Sequence, residues 1–184
     1  LDAKGNLLSS LPENMGQLSQ LKVLDLSLNK LDNIPSTIGK LTSLESLYLE
    51  TNKQGNLSEE IAALSNLKVL EVSSNQLTEL TSSVGQLARL ERLLLHDNKL
   101  DSLPNEIENL ARLRYVNLSN NHLTSIPGEI WGAPILDSLD ASFNQLGTVP
   151  PPSRNNSSDI QLTYLDLSSN NLSGLPEDIN KLVK

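Results

Sequence analysis

One asparagine recurs through the chain at a nearly constant spacing, and this period constrains the fold more than any other feature. The eight positions are Asn6, Asn29, Asn52, Asn75, Asn98, Asn121, Asn144 and Asn170. The first six intervals are 23 residues long and the last is 26. A period of this length is the sequence signature of a solenoid, in which similar coils stack one upon another.

Each asparagine belongs to a copy of the pattern LxxLxLxxNxL, as at 21–31, 90–100 and 162–172. The alternating LxL segment predicts a short strand whose leucines share one face. After the asparagine come an apolar residue, often a proline, and an apolar pair, as in Ile34, Pro35, Ile38 and Leu41. This second half predicts a short helical or 3-10 turn with proline near its start.

A single copy is too thin to bury its own leucines, so neighbouring copies must stack. We therefore predict an α/β solenoid, a horseshoe with a parallel concave β-sheet and short helical or 3-10 turns on the convex side. Residues 1–184 form a single array of about eight repeats, the first of them incomplete. The asparagine ladder is predicted to be structural, each amide pairing with backbone groups of adjacent coils whose burial without partners would cost about 1–3 kcal/mol.

The repeated pattern resembles that of leucine-rich repeat proteins over essentially the whole chain. Its second half, as in LPENMGQL at 11–18 and IPSTIGKL at 34–41, is similar to the intracellular Ras-associated group. That group includes Ras-pathway scaffolds, Scribble-type scaffolds, plant relatives, PH-domain phosphatases and fungal adenylate cyclases. The resemblance implies a cytoplasmic protein whose partner is another protein, such as a small GTPase of the Ras type or a phosphatase subunit.

Composition excludes several other classes of function. The chain has no cysteine, which excludes disulfides and thiol catalysis and favours a reducing compartment. Its net charge of −8 argues against nucleic acid and against anionic membranes, and no apolar run is long enough for membrane insertion. The two histidines, His96 and His122, occupy different repeat positions, and no catalytic motif is present. We expect no enzyme activity, no cofactor and no metal site.

The strand positions that face away from the leucines define a candidate binding surface. All three tyrosines and the single phenylalanine fall on such positions, and aromatic residues are typical anchors of protein interfaces. An alternative explanation is that aromatic residues simply favour strands. The predicted partner-binding residues, here called the concave patch, are Tyr48, Glu50, Glu71, Arg92, Leu94, His96, Asp97, Tyr115 and Asn117.

The repeat departs from its pattern in three places. Gln54 stands where the other seven copies have leucine, and we expect it to tip outward because a buried glutamine needs partners. Repeat 7 carries a Pro-rich insertion around 150–159, either a tolerated loop or a docking or phosphorylation loop. The chain begins within a repeat at Leu1 and ends without a polar cap, so we expect it to be a fragment of a longer protein.

The predicted function is a non-catalytic protein–protein recognition scaffold that binds a partner through its concave face in intracellular signalling. Two alternatives stay open at this point. The first is a regulatory segment of a larger signalling enzyme, such as an adenylate cyclase or a phosphatase. The second is a receptor ectodomain of the plant or innate-immune type.

Overall fold

The computed structural model describes residues 1–151 and 162–182. In this part of the chain the LxL segments form one sheet of seven parallel strands, in which spatial order follows chain order. Strands β1 to β7 are Val23–Asp25, Ser46–Tyr48, Val69–Glu71, Arg92–Leu94, Tyr115–Asn117, Ser138–Asp140 and Tyr164–Asp166. An isolated bridge between Asp2 and Asp25 extends the sheet by part of one further repeat. The predicted α/β solenoid is therefore confirmed.

Outside repeat 7, whose return path lies mostly beyond the described residues, the return path of each described coil contains a short 3-10 helix, as the second half of the repeat predicts. The described 3-10 helices are Glu13–Gln17, Ser36–Lys40, Glu59–Ala63, Ser82–Gln86, Asn105–Asn109, Gly128–Gly132 and Ile179–Lys181. Proline directly precedes four of them, as at Pro35 and Pro104, where φ is −67° and −72°. The φ angle that the proline ring fixes already suits the start of a helical turn. None of the helices in residues 1–151 and 162–182 is long and apolar enough to cross a membrane.

The leucines of successive coils form one continuous core between the sheet and the 3-10 helices. Central members such as Leu47, Leu70 and Leu93 are fully buried. The equivalent core towards each end is open, since Leu7 is 77% exposed and Leu175 is 59% exposed. Burial in this fold thus comes from the neighbouring coil, as expected of a solenoid.

A row of charged residues, here called the charge ladder, runs along the sheet one position before the strands. Its members alternate in sign: Lys22, Glu45, Lys68, Glu91, Arg114 and Asp137. From Glu45 onward, the backbone amide of each member donates to the backbone carbonyl of the member before it, at 2.7 to 2.9 Å. The carboxylate of Glu45 pairs with Lys68 at 2.7 Å and with Lys22 at 3.3 Å. These hydrogen bonds, that from Lys68 first, lower the pKa of Glu45.

The Pro-rich insertion around 150–159 lies mostly outside the described residues, which stop at Pro151 and resume at Leu162. The strands on either side of it keep the register of the rest of the sheet. Ser138 pairs with Tyr164 and Asp140 with Asp166, as the equivalent residues do in β5 and β6. The three additional residues of repeat 7 therefore leave the strand pairing unchanged.

Candidate functional site

The asparagine ladder builds the turn at which each strand leaves the sheet. Asn98 is typical: its Oδ1 accepts from the Leu77 amide of the preceding coil at 2.9 Å. Its Nδ2 donates to the carbonyls of Val72, Leu95 and His96 at 2.9, 3.0 and 3.2 Å. From Asn29 to Asn170 each side-chain amide makes such bonds to the preceding coil, which is the pairing that a structural role requires. Asn6 differs because it is exposed and its Nδ2 bonds only within its own coil, to Ala3 and Lys4.

The residue before each ladder asparagine adopts a left-handed backbone conformation. Seven non-glycine residues have φ between 51° and 56°: Leu28, Thr51, Ser74, Asp97, Asn120, Phe143 and Ser169. Gly5 occupies the same position with φ 70° and was the one sequence signal for this conformation. The sequence analysis did not predict it. The bend projects these side chains from the rim of the concave face, where Phe143 is 61% exposed.

The prediction for Gln54 is wrong, because this side chain is fully buried in the core. Its Nε2 donates to the Leu31 carbonyl of the preceding coil at 3.1 Å, and its backbone amide donates to Asn75 Oδ1 at 2.9 Å. The Oε1 atom is buried and has no hydrogen-bond partner among the described residues. A glutamine therefore fits in a leucine position because the return turn offers a carbonyl within reach.

The concave patch occupies strands β2 to β5 and the turns that follow them. Register pairing places Tyr48 beside Glu71, then Leu94, then Asn117, in one row across four strands. The guanidinium of Arg92 lies over the ring of Tyr115, 4.9 Å from its centroid, in a cation–π contact. The predicted residues therefore do come together on one face, although whether they bind a partner stays a prediction.

Electrostatics at the centre of the concave patch are set by Glu71. Burial raises the pKa of this carboxyl, and hydrogen bonds from the Ser73 hydroxyl and amide oppose the shift. His96 also favours the charged form, whereas Glu50 disfavours it. Burial therefore outweighs these hydrogen bonds and disfavours the charged form of Glu71.

Histidine 96 and the turn after it form the rim of the concave patch. The Nε2 of His96 lies 3.9 Å from the Asp97 carboxylate, and the side-chain amide of Asn120 donates to the same carboxylate. The Nδ1 of His96 is buried and has no hydrogen-bond partner among the described residues. Two neighbouring coils are thus linked at this rim by the contact between Asn120 and Asp97.

The acidic residues of the face have a structural task that the sequence analysis did not recognise. Asp25, Asp140 and Asp166 each accept the backbone amide of a serine two residues later, at 2.9 to 3.0 Å. Asn117 does the same with Ser119 at 2.9 Å. The spacing [D/E/N]-x-S, repeated in DLS, EVS, NLS and DAS, was the available signal. These carboxylates are fixed in direction, unlike those of a freely solvated stripe.

No metal centre is formed by residues 1–151 and 162–182, since no group of three or more histidine, aspartate and glutamate side chains could hold an ion. The groups that the concave face presents are aromatic rings, oriented carboxylates and one arginine. Such a mixture of apolar and charged groups is typical of surfaces that contact proteins.

A parallel sheet built from successive repeats, with one face of side chains left uncovered, is typical of repeat proteins that bind other molecules. The family model for the leucine-rich repeat matches residues 1–53 and 88–146, and a second model for the same repeat matches residues 161–182. The chain therefore belongs to the leucine-rich repeat family. Domains of this family are generally protein-binding modules.

Solved structures support the family assignment. A leucine-rich repeat protein of Leptospira interrogans is 34% identical, with a TM-score of 0.75 over 96% of this chain and 50% of that one. The ectodomain of the Arabidopsis thaliana receptor kinase GASSHO1/SCHENGEN3, in complex with CASPARIAN STRIP INTEGRITY FACTOR 2, is 33% identical, with a TM-score of 0.86 over 99% of this chain and 22% of that one.

A further similar structure is the Arabidopsis receptor kinase HAESA in complex with the peptide hormone IDA and the co-receptor SERK1. It is 30% identical, with a TM-score of 0.82 over 99% of this chain and 31% of that one. The chain therefore spans half, or less, of the length of these three relatives. A comparison with curated proteins found no match.

Proposed function

We propose that this chain is a non-catalytic recognition module that binds a partner protein through its concave sheet. The observation that carries the proposal is the uncovered row of side chains across β2 to β5, in which Tyr48, Arg92 and Tyr115 face away from the core. Tyrosine and arginine are the residues that most often dominate interface energies. The face also carries oriented carboxylates, which favour a partner with complementary positive charge.

Site-specific photo-cross-linking tests which face is used. A benzoylphenylalanine residue at Tyr48 on the concave face should form an adduct of defined mass in an extract of the source cells. The matched control places the same residue at Glu108, which is exposed on the convex helix Asn105–Asn109. Adducts at position 108 alone would show that the convex side is the recognition surface.

We further propose an intracellular setting in signalling, with a small GTPase of the Ras type or a phosphatase subunit as partner. The support is the absence of cysteine and the resemblance of the LPxxIGxL segments to the Ras-associated group. A pull-down with a Ras-type GTPase tests the partner class, with the protein retained more strongly on the GTP-analogue form than on the GDP form. Equal, negligible retention on both forms and on phosphatase subunits would reject these partners.

A second candidate function is that of a receptor ectodomain. The observation that favours it is the similarity, at 33% and 30% identity, to two plant receptor kinases whose structures contain peptide or co-receptor partners. The two settings are separated by treating intact source cells with a non-permeant protease. Digestion of the protein supports the ectodomain, and protection supports the intracellular scaffold.

A further inference from the structure

Two tyrosines at the C-terminal end of the concave sheet flank a small residue, and of these three only Tyr115 belongs to the concave patch. Tyr115, Ser138 and Tyr164 occupy the same position in β5, β6 and β7 and pair in register. With strands about 4.8 Å apart, the two tyrosines stand roughly 10 Å apart across the serine. We call this gap, together with Asp140 and Asp166, the tyrosine slot.

The ring of Tyr115 has a defined orientation. Arg92, on the strand before it, lies over one ring face at 4.9 Å from the centroid, so the opposite face is turned towards Ser138. On the other side, Tyr164 is 49% exposed and its hydroxyl donates to Asp166 Oδ2 at 3.1 Å. Once the half-thickness of each ring is subtracted, the gap is about 6 Å wide, whereas a planar group is about 3.4 Å thick, so such a group can enter the gap and pack in van der Waals contact with one of the two rings.

Two carboxylates border the slot on the same face. Asp140 and Asp166 are direct partners in the register of β6 and β7, and like charges in that position repel. The Asp140 Oδ1 is fixed by the amide and hydroxyl of Ser142, at 3.0 and 2.7 Å. Among the described residues, no lysine, arginine or histidine forms an ion pair with either aspartate.

The local electrostatics agree with this arrangement. The pKa of Tyr164 is raised, first by its hydrogen bond to Asp166, then by the charge of that carboxylate, with a smaller contribution from Asp140. The pKa of Asp166 is lowered by hydrogen bonds from Ser168. Near neutral pH the slot therefore carries uncompensated negative charge beside two aromatic rings.

Building on the proposed function, we propose that the tyrosine slot binds an arginine side chain presented by the partner protein. Its guanidinium stacks on the ring of Tyr115 or of Tyr164, while its N–H groups donate to Asp140 and Asp166. Arginine suits the slot better than lysine because its planar group can stack and can also donate to two carboxylates in a fixed geometry.

The binding of short peptides, followed by NMR, tests the slot without the partner. The probe is the blocked tripeptide acetyl-Gly-Arg-Gly-amide, and its citrulline analogue serves as the neutral isostere. We expect saturable shifts of the amide signals of Ser138, Tyr164 and Asp166 with arginine, and shifts about fivefold smaller with citrulline at equal concentration, because the cation–π and ionic contributions are lost. A lysine tripeptide should give intermediate shifts.

A matched pair of variants locates the binding. Ser138→Tyr fills the slot with the residue that its two neighbours already carry at this position, so the strand can accept it. Ser46→Tyr makes the same change at the equivalent position of β2. The first should reduce the shifts at Tyr164 and Asp166 about fivefold, whereas the second should leave them unchanged.

Three results would overturn the inference: equal shifts with arginine and citrulline, shifts with Ser138→Tyr as large as in the original protein, or a response spread evenly over exposed carboxylates such as Asp101. A lysine tripeptide that matches arginine would overturn the choice of arginine. Photo-cross-linking from position 48 tests whether a partner binds the concave face and does not involve the slot. The proposed function can therefore hold even if the slot does not bind arginine.

Discussion

The ladder asparagine shows how one side chain can satisfy the backbone of two coils. Asn98 joins the turn of its own coil to a backbone amide and a carbonyl of the coil before it. No other short side chain combines one acceptor and two donors in this shape. This explains why the residue is kept in every copy although it contributes no apolar area.

Replacing Asn98 by alanine should lower the free energy of unfolding by about 1–3 kcal/mol, because the buried Leu77 amide loses its acceptor, whereas the Val72 carbonyl keeps the Asn75 Nδ2 as a donor. Urea denaturation measures the change. Asn6→Ala is the matched control, since Asn6 is exposed and should cost little. Equal losses in the two variants would contradict the role assigned to burial.

Gln54→Leu should raise the free energy of unfolding by about 1–3 kcal/mol, because the variant removes a buried oxygen that lacks a partner. The Leu31 carbonyl, which now accepts from Gln54 Nε2, also accepts from the Lys53 amide and stays paired. Thermal unfolding with the exposed Gln76→Leu as control measures the effect. Loss of stability in the buried variant would indicate that the Nε2 bond outweighs the unpaired oxygen.

The sequence contained enough to predict the ladder but too little to predict Gln54. The asparagine pattern repeats eight times, so its partners could be inferred from periodicity. Gln54 occurs once, and its burial depends on the Leu31 carbonyl, a backbone atom that no side-chain pattern reveals. The left-handed residues were hidden for a similar reason, because seven of the eight are not glycine.

At the scale of the strands, each element is only three residues long, and equivalent outward side chains of neighbouring strands form rows across the sheet. Sequence periodicity predicted which residues face outward, because alternation along a strand is strict. It did not predict the contact between Arg92 and Tyr115 or the depth of Glu71, since both depend on the side chains of neighbouring strands. The predicted concave patch does not include Tyr164 and Phe143, which are 49% and 61% exposed.

Alanine substitution of Tyr48, Arg92 or Tyr115 should weaken partner binding while changing the melting temperature little. Each side chain faces outward, and anchor residues of this type often contribute about 2 kcal/mol or more to binding. Titration calorimetry with the captured partner, alongside calorimetric melting of each variant, makes the comparison. Unchanged affinity in all three variants would remove the concave patch as the binding site.

Glu71→Gln should stabilise the protein at pH 7. Burial raises the folded-state pKa of Glu71 above its ordinary value of 4.5, so the folded protein binds the proton more readily than the unfolded chain. The charged form therefore opposes folding above that pKa, and this opposition is relieved as the pH falls through it. Denaturation at several pH values should show the advantage of the variant shrinking towards pH 4.5; an advantage that grows with acidity contradicts the sign.

On the scale of the whole molecule, stability is distributed along the array rather than held in one centre. Central coils have neighbours on both sides, whereas Leu1, Leu7 and Leu175 are more than half exposed. In a nearest-neighbour solenoid, coils with one neighbour open first.

Hydrogen exchange should reveal this gradient. The Leu77 amide, which donates to Asn98 in the buried part of the ladder, should exchange at least about tenfold more slowly than the Leu8 amide, which makes the same bond to Asn29 near the first coil. NMR-detected exchange at low temperature distinguishes the two amides. Uniform protection would mean that the array unfolds as a single cooperative unit.

The charge ladder restricts how such an array can change its length during evolution. Duplicating a single coil would place two basic residues, or two acidic residues, next to each other in the row that precedes the strands. Duplicating two adjacent coils would preserve the alternation from Lys22 to Asp137. We therefore expect recombinant arrays that are lengthened by a pair of coils to express better than arrays that are lengthened by a single coil, because like charges side by side on neighbouring strands repel.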